Sequence, residues 1–356
     1  MMGADNFAIL HHVSNPATFP EVKDLSREKN MKTIRTLAIV AGFSLGIAQV
    51  SGAETLTVET GTASGTTTLA MQVIATYGGM DLQINSGQTL TKSCMKLGQG
   101  EIDAAVCPPP AHLMMGVGKG PFKNNAEAAK AAAPNLRGLF AFSGGFFHLI
   151  VRDGSGVETW DDLAGQRIFT GPPAGSANGQ SQSIIKAASG LVAGEDYEAV
   201  RLGWGAALQA FQDGQFDVMM FPTAVGNSAL EQLGPVHILS VSDEAMETET
   251  WKNYTKQESR NAGIIPAGVY SNVLTDTPVQ TAEYSMQAMV NVNMDDDTAY
   301  QMTKLFWDNL AEAKANIRVL NMVNPEDPFT GLSAKLHPGA IRYYKEVGIE
   351  IPADKM

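Results

Sequence analysis

Two stretches of the chain, GTASGTTT (Gly61 to Thr68) and GPPAGSANGQS (Gly171 to Ser181), place glycines and small hydroxyls directly ahead of a helical pattern. A glycine-rich turn that opens a helix leaves backbone N–H groups unpaired and pointing outward, where the helix dipole also favours negative charge. The chemistry this permits is capture of an anion by neutral donors. The candidate contacts are Gly61, Thr62, Ser64, Gly65, Thr66 and Thr67 in the first stretch, and Gly171, Pro172, Gly175, Ser176, Ala177 and Asn178 in the second. Each stretch is followed by a Gly-x-x-Asp strand ending in proline, GEIDAAVCPPP (Gly100 to Pro110) and GQFDVMMFPT (Gly214 to Thr223). Pro108, Pro109, Phe221 and Pro222 are expected at the mouth of a cleft, and Asp103 and Asp217 to serve as strand-start turn residues. Two more strand-to-helix junctions, Gly87-Gln88-Thr89 and Gly203-Trp204-Gly205, add Gly87, Gln88 and Trp204 to the candidates.

Signals for bond-making chemistry are weak. Ser93-x-x-Lys96 and Ser183-x-x-Lys186 match the first element of a β-lactamase signature, but no SDN or KTG accompanies them. After residue 53 neither GxSxG nor HExxH occurs, and His112, His148, His237 and His337 lack metal-ligand spacing. Gly118-Lys119-Gly120 lacks the upstream glycine and following hydroxyl of a phosphate loop. No catalytic residue, metal or cofactor is expected. Arg152 is expected to face solvent rather than a ligand carboxylate, and Arg342, Tyr343, Tyr344 and Lys345 to pack a C-terminal helix onto the protein.

The elements that must position these residues alternate in type. Strands are expected at Thr55 to Thr60, Leu82 to Asn85, Ile102 to Cys107, Leu136 to Phe142, His148 to Val151, Arg167 to Thr170, Ala199 to Leu202, Val218 to Phe221, Val236 to Val241 and Gln280 to Asn293, with helices between most of them. Such alternation predicts right-handed βαβ units and largely parallel sheets. Because the pattern occurs twice, the expected fold class is α/β with two lobes: a first lobe of residues 54–150 and 246–356, and a second of 151–245 inserted in it. In open α/β sheets ligands sit beyond the carboxyl ends of the strands, so the two glycine loops would face one another across a cleft.

The segment MKTIRTLAIVAGFSLGIAQVSGA (Met31 to Ala53) has a short basic start, an apolar run from Leu37 to Val50 and small residues at cleavage spacing. It reads as a cleaved secretory leader, with residues 1–30 a start assigned too far upstream. Residues 1–53 hold five of the 25 Lys and Arg and four of the 37 Asp and Glu, leaving 20 against 33. An acidic remainder without a basic cluster argues against nucleic acid and anionic membranes as partners. The two cysteines, Cys94 and Cys107, are expected to stay apart, since axial rises along a helix ending near Leu97 and a strand starting at Ile102 separate them by roughly 10 Å.

Four stretches, SGVETWDDLAGQRIFTGPPAGSANG (Ser155 to Gly179), the strand at Gly214 to Asp217, IPAGVY (Ile265 to Tyr270) and LHPGAIRYYKEVG (Leu336 to Gly348), resemble the TRAP-associated extracytoplasmic immunogenic (TAXI) family. The resemblance covers the whole chain after the leader. It implies a two-lobed periplasmic-binding-protein fold of the type II kind, a periplasmic location, and closure on a small organic anion such as glutamate, a C4 or C5 dicarboxylate or a keto acid. It also implies delivery of the anion, by a monomer, to the membrane subunits of a tripartite ion-coupled (TRAP) transporter. Many members follow the first glycine loop with two tyrosines that help to hold the ligand, where this chain has Thr66, Thr67 and Thr68. Two other functions are compatible with the same architecture: a sensory input protein for a membrane receptor, and an enzyme.

If the leader is complete as read, N-terminal sequencing of exported protein should find Glu54 first. An exported form beginning before Met31 would refute this.

Overall fold

The computed structural model describes residues 55–256 and 259–356; the leader and everything before it lie outside the described residues. In chain order the strands are β1 (Leu56–Glu59), β2 (Leu82–Asn85), β3 (Ala104–Cys107), β4 (Leu136–Arg152), β5 (Arg167–Phe169), β6 (Glu198–Val200), β7 (Val218–Thr223), β8 (Val236–Ile238), β9 (Arg260–Ile265) and β10 (Val279–Asn291). The helices are α1 (Thr66–Gln72), α2 (Leu90–Gln99), α3 (Pro109–Val117), α4 (Ala126–Ala132), α5 (Ser176–Ser189), α6 (Trp204–Gln212), α7 (Asp243–Glu247), α8 (Glu249–Thr255), α9 (Asp296–Asn316) and α10 (Pro338–Glu346). α1 continues through Val73–Tyr77 as a wider π-type turn.

The strands run in the order β2-β1-β3-β10-β4-β7-β5-β6, with β9 added to β10 and β8 to β4. Pairing is parallel at both ends (β1 with β2 and β3, β5 with β6 and β7) and antiparallel in the middle. The parallel ends are the two expected βαβ units. The middle is built from two long strands, β4 with 17 residues and β10 with 13. Leu136 to Phe146 of β4 pair with β10, whereas Phe146 to Val151 pair with β7. Both long strands therefore belong to both halves.

The expected break between Phe142 and His148 is absent. Ser143-Gly144-Gly145, between the two expected strands, is absorbed as a bulge: Ser285 pairs with Ser143 and Tyr284 with Gly145, leaving Gly144 unopposed. Gly145 has φ +129°, and a Cβ there would run into the Thr223 carbonyl of β7. Only glycine meets both conditions.

Strand residues alternate between core layers, as a period of two requires. Ala104 and Val106 of β3 join Val58, Phe140, Val290 and Phe306, while Ala105 and Cys107 join Leu97, Met115 and Met289 on the other face. In the second half, Leu149, Val218 and Met220 pack with Ile184, Trp251 and Tyr254, while Ile150, Met219 and Phe221 pack with Phe211, Ile265 and Tyr270. The result is two α/β/α lobes on one shared sheet, the fold class expected. Trp251 and Tyr254, which the expected lobe bounds assign to the first lobe, instead pack in the core of the second.

α9 begins as expected, with the Asp295 carboxylate accepting from the Thr298 N–H at 2.8 Å. Tyr343 and Tyr344 of α10 are buried, and the Tyr344 hydroxyl donates to the Leu139 carbonyl at 3.0 Å.

The cysteines correct the expectation. Cys94 and Cys107 form a disulfide, with Cα atoms 5.7 Å apart. α2 runs to Gln99 and β3 starts only at Ala104. Retreating five residues along the helix and advancing three along the strand covers about 7.5 Å and about 10 Å. The two side chains thus stand level, so the long separation inferred from later helix and earlier strand limits does not arise.

Closing a short loop by a disulfide is worth about 2–4 kcal/mol. Denaturant titration of a Cys94→Ala/Cys107→Ala variant should show a loss of that size, and the unfolded native protein should contain no free thiol. An unchanged midpoint would contradict the assignment.

Candidate functional site

The two glycine loops have the same internal architecture. In the first, the Thr60 and Thr68 hydroxyls meet at 2.7 Å, Gly65 N–H donates to Thr62 O at 2.9 Å, and Gly65 is the extended residue ahead of α1. In the second, the Thr170 hydroxyl donates to Asn178 Oδ1 at 2.7 Å, Gly175 N–H donates to Pro172 O at 3.0 Å, and Gly175 is the extended residue ahead of α5. Neither helix start has a side-chain cap. Gly171, at φ +123°, lets the loop lie against the backbone of α5, because a Cβ would sit 2.8 Å from the Asn178 nitrogen.

Both loops border one cavity of about 90 Å³. From the first lobe come Gly61, Thr62, Gly65, Thr66 and Thr67, with Leu90 and Pro108. The second lobe contributes Ser176, Ala177 and Gln180 of α5, with Trp204, Phe221, Pro222 and Thr223. The shared strands supply the floor: Gly144 and Phe147 from β4, Tyr284 and Met286 from β10. Beside the cavity the Thr91 hydroxyl of α2 donates to the Ala174 carbonyl at 2.5 Å, joining the two loops' neighbourhoods directly.

Of the residues singled out from sequence, Ser64, Gly87, Gln88, Pro109, Gly171, Pro172, Gly175 and Asn178 do not line the cavity. All but Pro109 shape the loops that do. Gly87 N–H donates to Gly61 O at 2.5 Å and Gln88 N–H to Thr60 O at 3.0 Å, fixing the first loop from behind. Asn178 Oδ1 accepts from Thr170 and, at 3.0 Å, from Gln182.

Sequence reasoning missed Leu90, Gly144, Phe147, Gln180, Thr223, Tyr284 and Met286. Gln180 was findable, since it lies one helical turn after Ser176 and donates to its hydroxyl at 3.4 Å. Phe147, Tyr284 and Met286 carry no local signal; only the pairing of β4 with β10 brings them to the loops. Gly144 is needed because a Cβ there would collide with the Tyr284 ring.

The polar groups are mostly hydroxyls. Thr66 donates to Gly144 O at 3.2 Å. Thr67 accepts from Gly61 N–H at 3.1 Å, and Thr223 from Asn227 Nδ2 at 2.5 Å. Among the described residues the Tyr284 hydroxyl has no partner, and burial pushes its pKa up, so it remains a donor. Trp204 stands edge-on to Phe169 and Phe221, with ring centroids 5.6 Å and 5.4 Å away.

Several charged or nucleophilic candidates turn out to be structural. Arg152 neither faces a ligand nor stands free: Nε donates to Asp217 at 2.7 Å and the guanidinium lies 4.5 Å over the Phe211 ring. Asp103 accepts from Thr57 N–H at 2.7 Å. Ser93 and Lys96 share the face of α2 and both donate to the buried Glu59 carboxylate, at 2.6 Å and 2.5 Å. Ser183 donates to Gly179 O at 2.8 Å. His148, fully buried behind the cavity wall, donates from Nδ1 to Phe146 O and accepts at Nε2 from Tyr270, both at 3.0 Å. Burial lowers its pKa from 6.5 to about 4, so it is neutral near pH 7.

The fold and cavity define a two-lobed α/β protein with an uncharged, donor-rich chamber at the junction of its lobes. A family model described as the NMT1-like family matches residues 92–348, and the chain belongs to that family. Among solved structures it is similar to the alkanesulfonate-binding protein of Xanthomonas axonopodis pv. citri, bound to MOPS, at 12% identity over 82% of this chain and 83% of that one, TM-score 0.40. The aliphatic sulphonate binding protein of Escherichia coli matches at 14% identity over 82% and 83%, TM-score 0.42. A TRAP periplasmic solute binding protein of Ralstonia eutropha H16, with bound (S)-2-acetolactate, matches at 12% identity over 84% and 88%, TM-score 0.42.

His148 makes stability depend on pH. Its folded pKa, about 4, lies below the unfolded 6.5, so the unfolded chain binds the extra proton and stability falls as pH drops through that window. The loss from this residue amounts to about 3 kcal/mol. Burial lowers His112 and His337 as well, adding in the same direction. Denaturant midpoints measured from pH 7 to pH 4 should fall less steeply in His148→Gln, which keeps a partner for Tyr270; identical slopes would refute the account.

Proposed function

We propose that the protein is a periplasmic solute-binding protein of the TAXI type, which captures a small organic anion between its lobes and delivers it to the membrane subunits of a TRAP transporter. The single observation that carries the reading is the cavity itself. It is walled by two copies of one loop-and-helix unit from opposite lobes, and its polar groups are donors rather than catalytic pairs. Family membership and the TAXI-like stretches support it. Among the described residues no helix is long and apolar enough to cross a membrane, and the exported location rests on the leader pattern.

In this reading one carboxylate lies at the start of α5, where Ser176 and the first backbone N–H groups of a 14-residue helix converge. Thr62 and Thr67 face it from the other lobe. The lobes move about Gly144 and Gly145 in β4 and around Tyr284 to Met286 in β10, where the strands pass from one core to the other. Ligand holds the lobes together, the Thr91 to Ala174 hydrogen bond forms only in the closed state, and the membrane subunits recognise that state. No step alters the ligand covalently.

Native mass spectrometry of protein from its own periplasm should show one bound small acid. A Ser176→Leu variant loses a donor and obstructs the helix start, so calorimetry should find binding at least ~10-fold weaker, about 1.4 kcal/mol. A folded variant that binds as tightly as the parent would move the site elsewhere.

A further inference from the structure

Eighteen residues wall the cavity, and none is Asp, Glu, Lys, Arg or His. This is unexpected in a chain with 25 basic and 37 acidic residues. The nearest buried titratable groups do not repair the lack. Glu59 is held by Ser93 and Lys96, and His148 is committed to Phe146 and Tyr270.

The hydroxyls have a direction. Those of Thr67, Ser176 and Thr223 each accept a hydrogen bond from the protein, so each keeps its own proton to give. The Tyr284 hydroxyl is uncommitted among the described residues. Apart from the Gln180 amide oxygen, the side chains named here offer protons, so the chamber asks mainly for acceptor oxygens and supplies no full charge of either sign. The same cavity is also lined by Leu90, Phe147, Trp204, Phe221 and Met286, surface suited to hydrocarbon.

We propose that the ligand is a short-chain monocarboxylate with an apolar body, and that the site rejects dicarboxylates and α-amino acids. This inference rests on the solute-binding reading and narrows it. A single carboxylate can be satisfied by hydroxyl and backbone donors, which share its delocalised charge. A second carboxylate would be desolvated against Phe147, Phe221 or Met286 with no cation beside it, and an ammonium would find no carboxylate; an unpaired buried charge is strongly penalised. Glutamate, which the resemblance implies, carries both burdens.

The test uses four five-carbon compounds that differ in their charged groups. Isovalerate is the probe; glutarate has a second carboxylate, valine has an added ammonium, and isovaleramide has no charge. Calorimetry on the mature, disulfide-intact protein, freed of endogenous ligand in denaturant and refolded, should find isovalerate at least ~10-fold tighter than the other three. Glutarate or valine binding as tightly as isovalerate overturns the inference and leaves the solute-binding reading standing. Isovaleramide binding as tightly removes the anionic head. If none binds, native mass spectrometry of the periplasmic protein decides: a co-purified dicarboxylate or amino acid overturns the inference, a monocarboxylate of another shape sustains it, and no bound molecule at all overturns the solute-binding reading with it. A second variant tests the electrostatic basis independently. Leu90→Arg, at a half-buried position on the rim, should raise glutarate affinity relative to isovalerate by at least ~10-fold, and an unchanged ratio refutes the role given to missing charge.

Discussion

The antiparallel pairing of β4 with β10 is the constraint on which the other features depend. Because both strands are long enough to enter two cores, each lobe is completed by residues of the same two strands, and the βαβ units at the two ends hang from one ladder. The pairing survives its midpoint only through the Gly144 bulge and the positive φ of Gly145. There the sheet bends, and Phe147, Tyr284 and Met286 come to face the loops. The same glycines that permit the bend open the floor of the cavity, since a side chain at Gly144 would displace the Tyr284 ring.

Duplication explains the walls. Thr60 and Thr68 in one lobe occupy the roles of Thr170 and Asn178 in the other, and Gly65 and Gly175 precede their helices in nearly the same extended conformation. Each unit keeps its helix start free of side-chain caps. Uncapped donors at the surface would be filled by water; here they are brought beside a chamber lined by aromatic and aliphatic side chains. Desolvation makes their preference for acceptor oxygens count, because hydrogen bonds strengthen as the local dielectric falls. In the proposed reading an exclusion follows from the same physics, since a chamber without charged side chains would discriminate by the cost of unpaired charge rather than by attraction.

Charge is instead consumed in the scaffold. Glu59 collects Ser93 and Lys96, and Asp217 collects Arg152, whose guanidinium also covers Phe211. These pairs account for the Ser-x-x-Lys spacing on α2 and for the second Gly-x-x-Asp motif without any catalytic role. The disulfide between Cys94 and Cys107 ties α2 to the end of β3, directly before Pro108 in the cavity wall. It braces the side of the site contributed by the first lobe.

How much was legible from sequence follows from the range of each signal. The alternation of strands and helices, the duplicated loops, the cap at Asp295 and the packing of Tyr343 and Tyr344 are local patterns, written in spacings of two, three or four residues, and the chain alone determined them. Gly61, Thr62, Ser176 and Ala177 were recognisable because a glycine-hydroxyl turn before a helix is a local pattern too. Tertiary structure alone decided that Ser143-Gly144-Gly145 is a bulge within one strand and not a break between two, since a bulge exists only opposite a partner strand. It also decided that the cysteines stand level, and that Phe147, Tyr284 and Met286 meet Ser176. The cysteines, 13 positions apart, turn on where α2 ends and β3 begins once both are packed; the other outcomes depend on strand register between β4 and β10 residues more than a hundred positions apart, and register is set by the simultaneous burial of both faces of the sheet, which no segment specifies by itself.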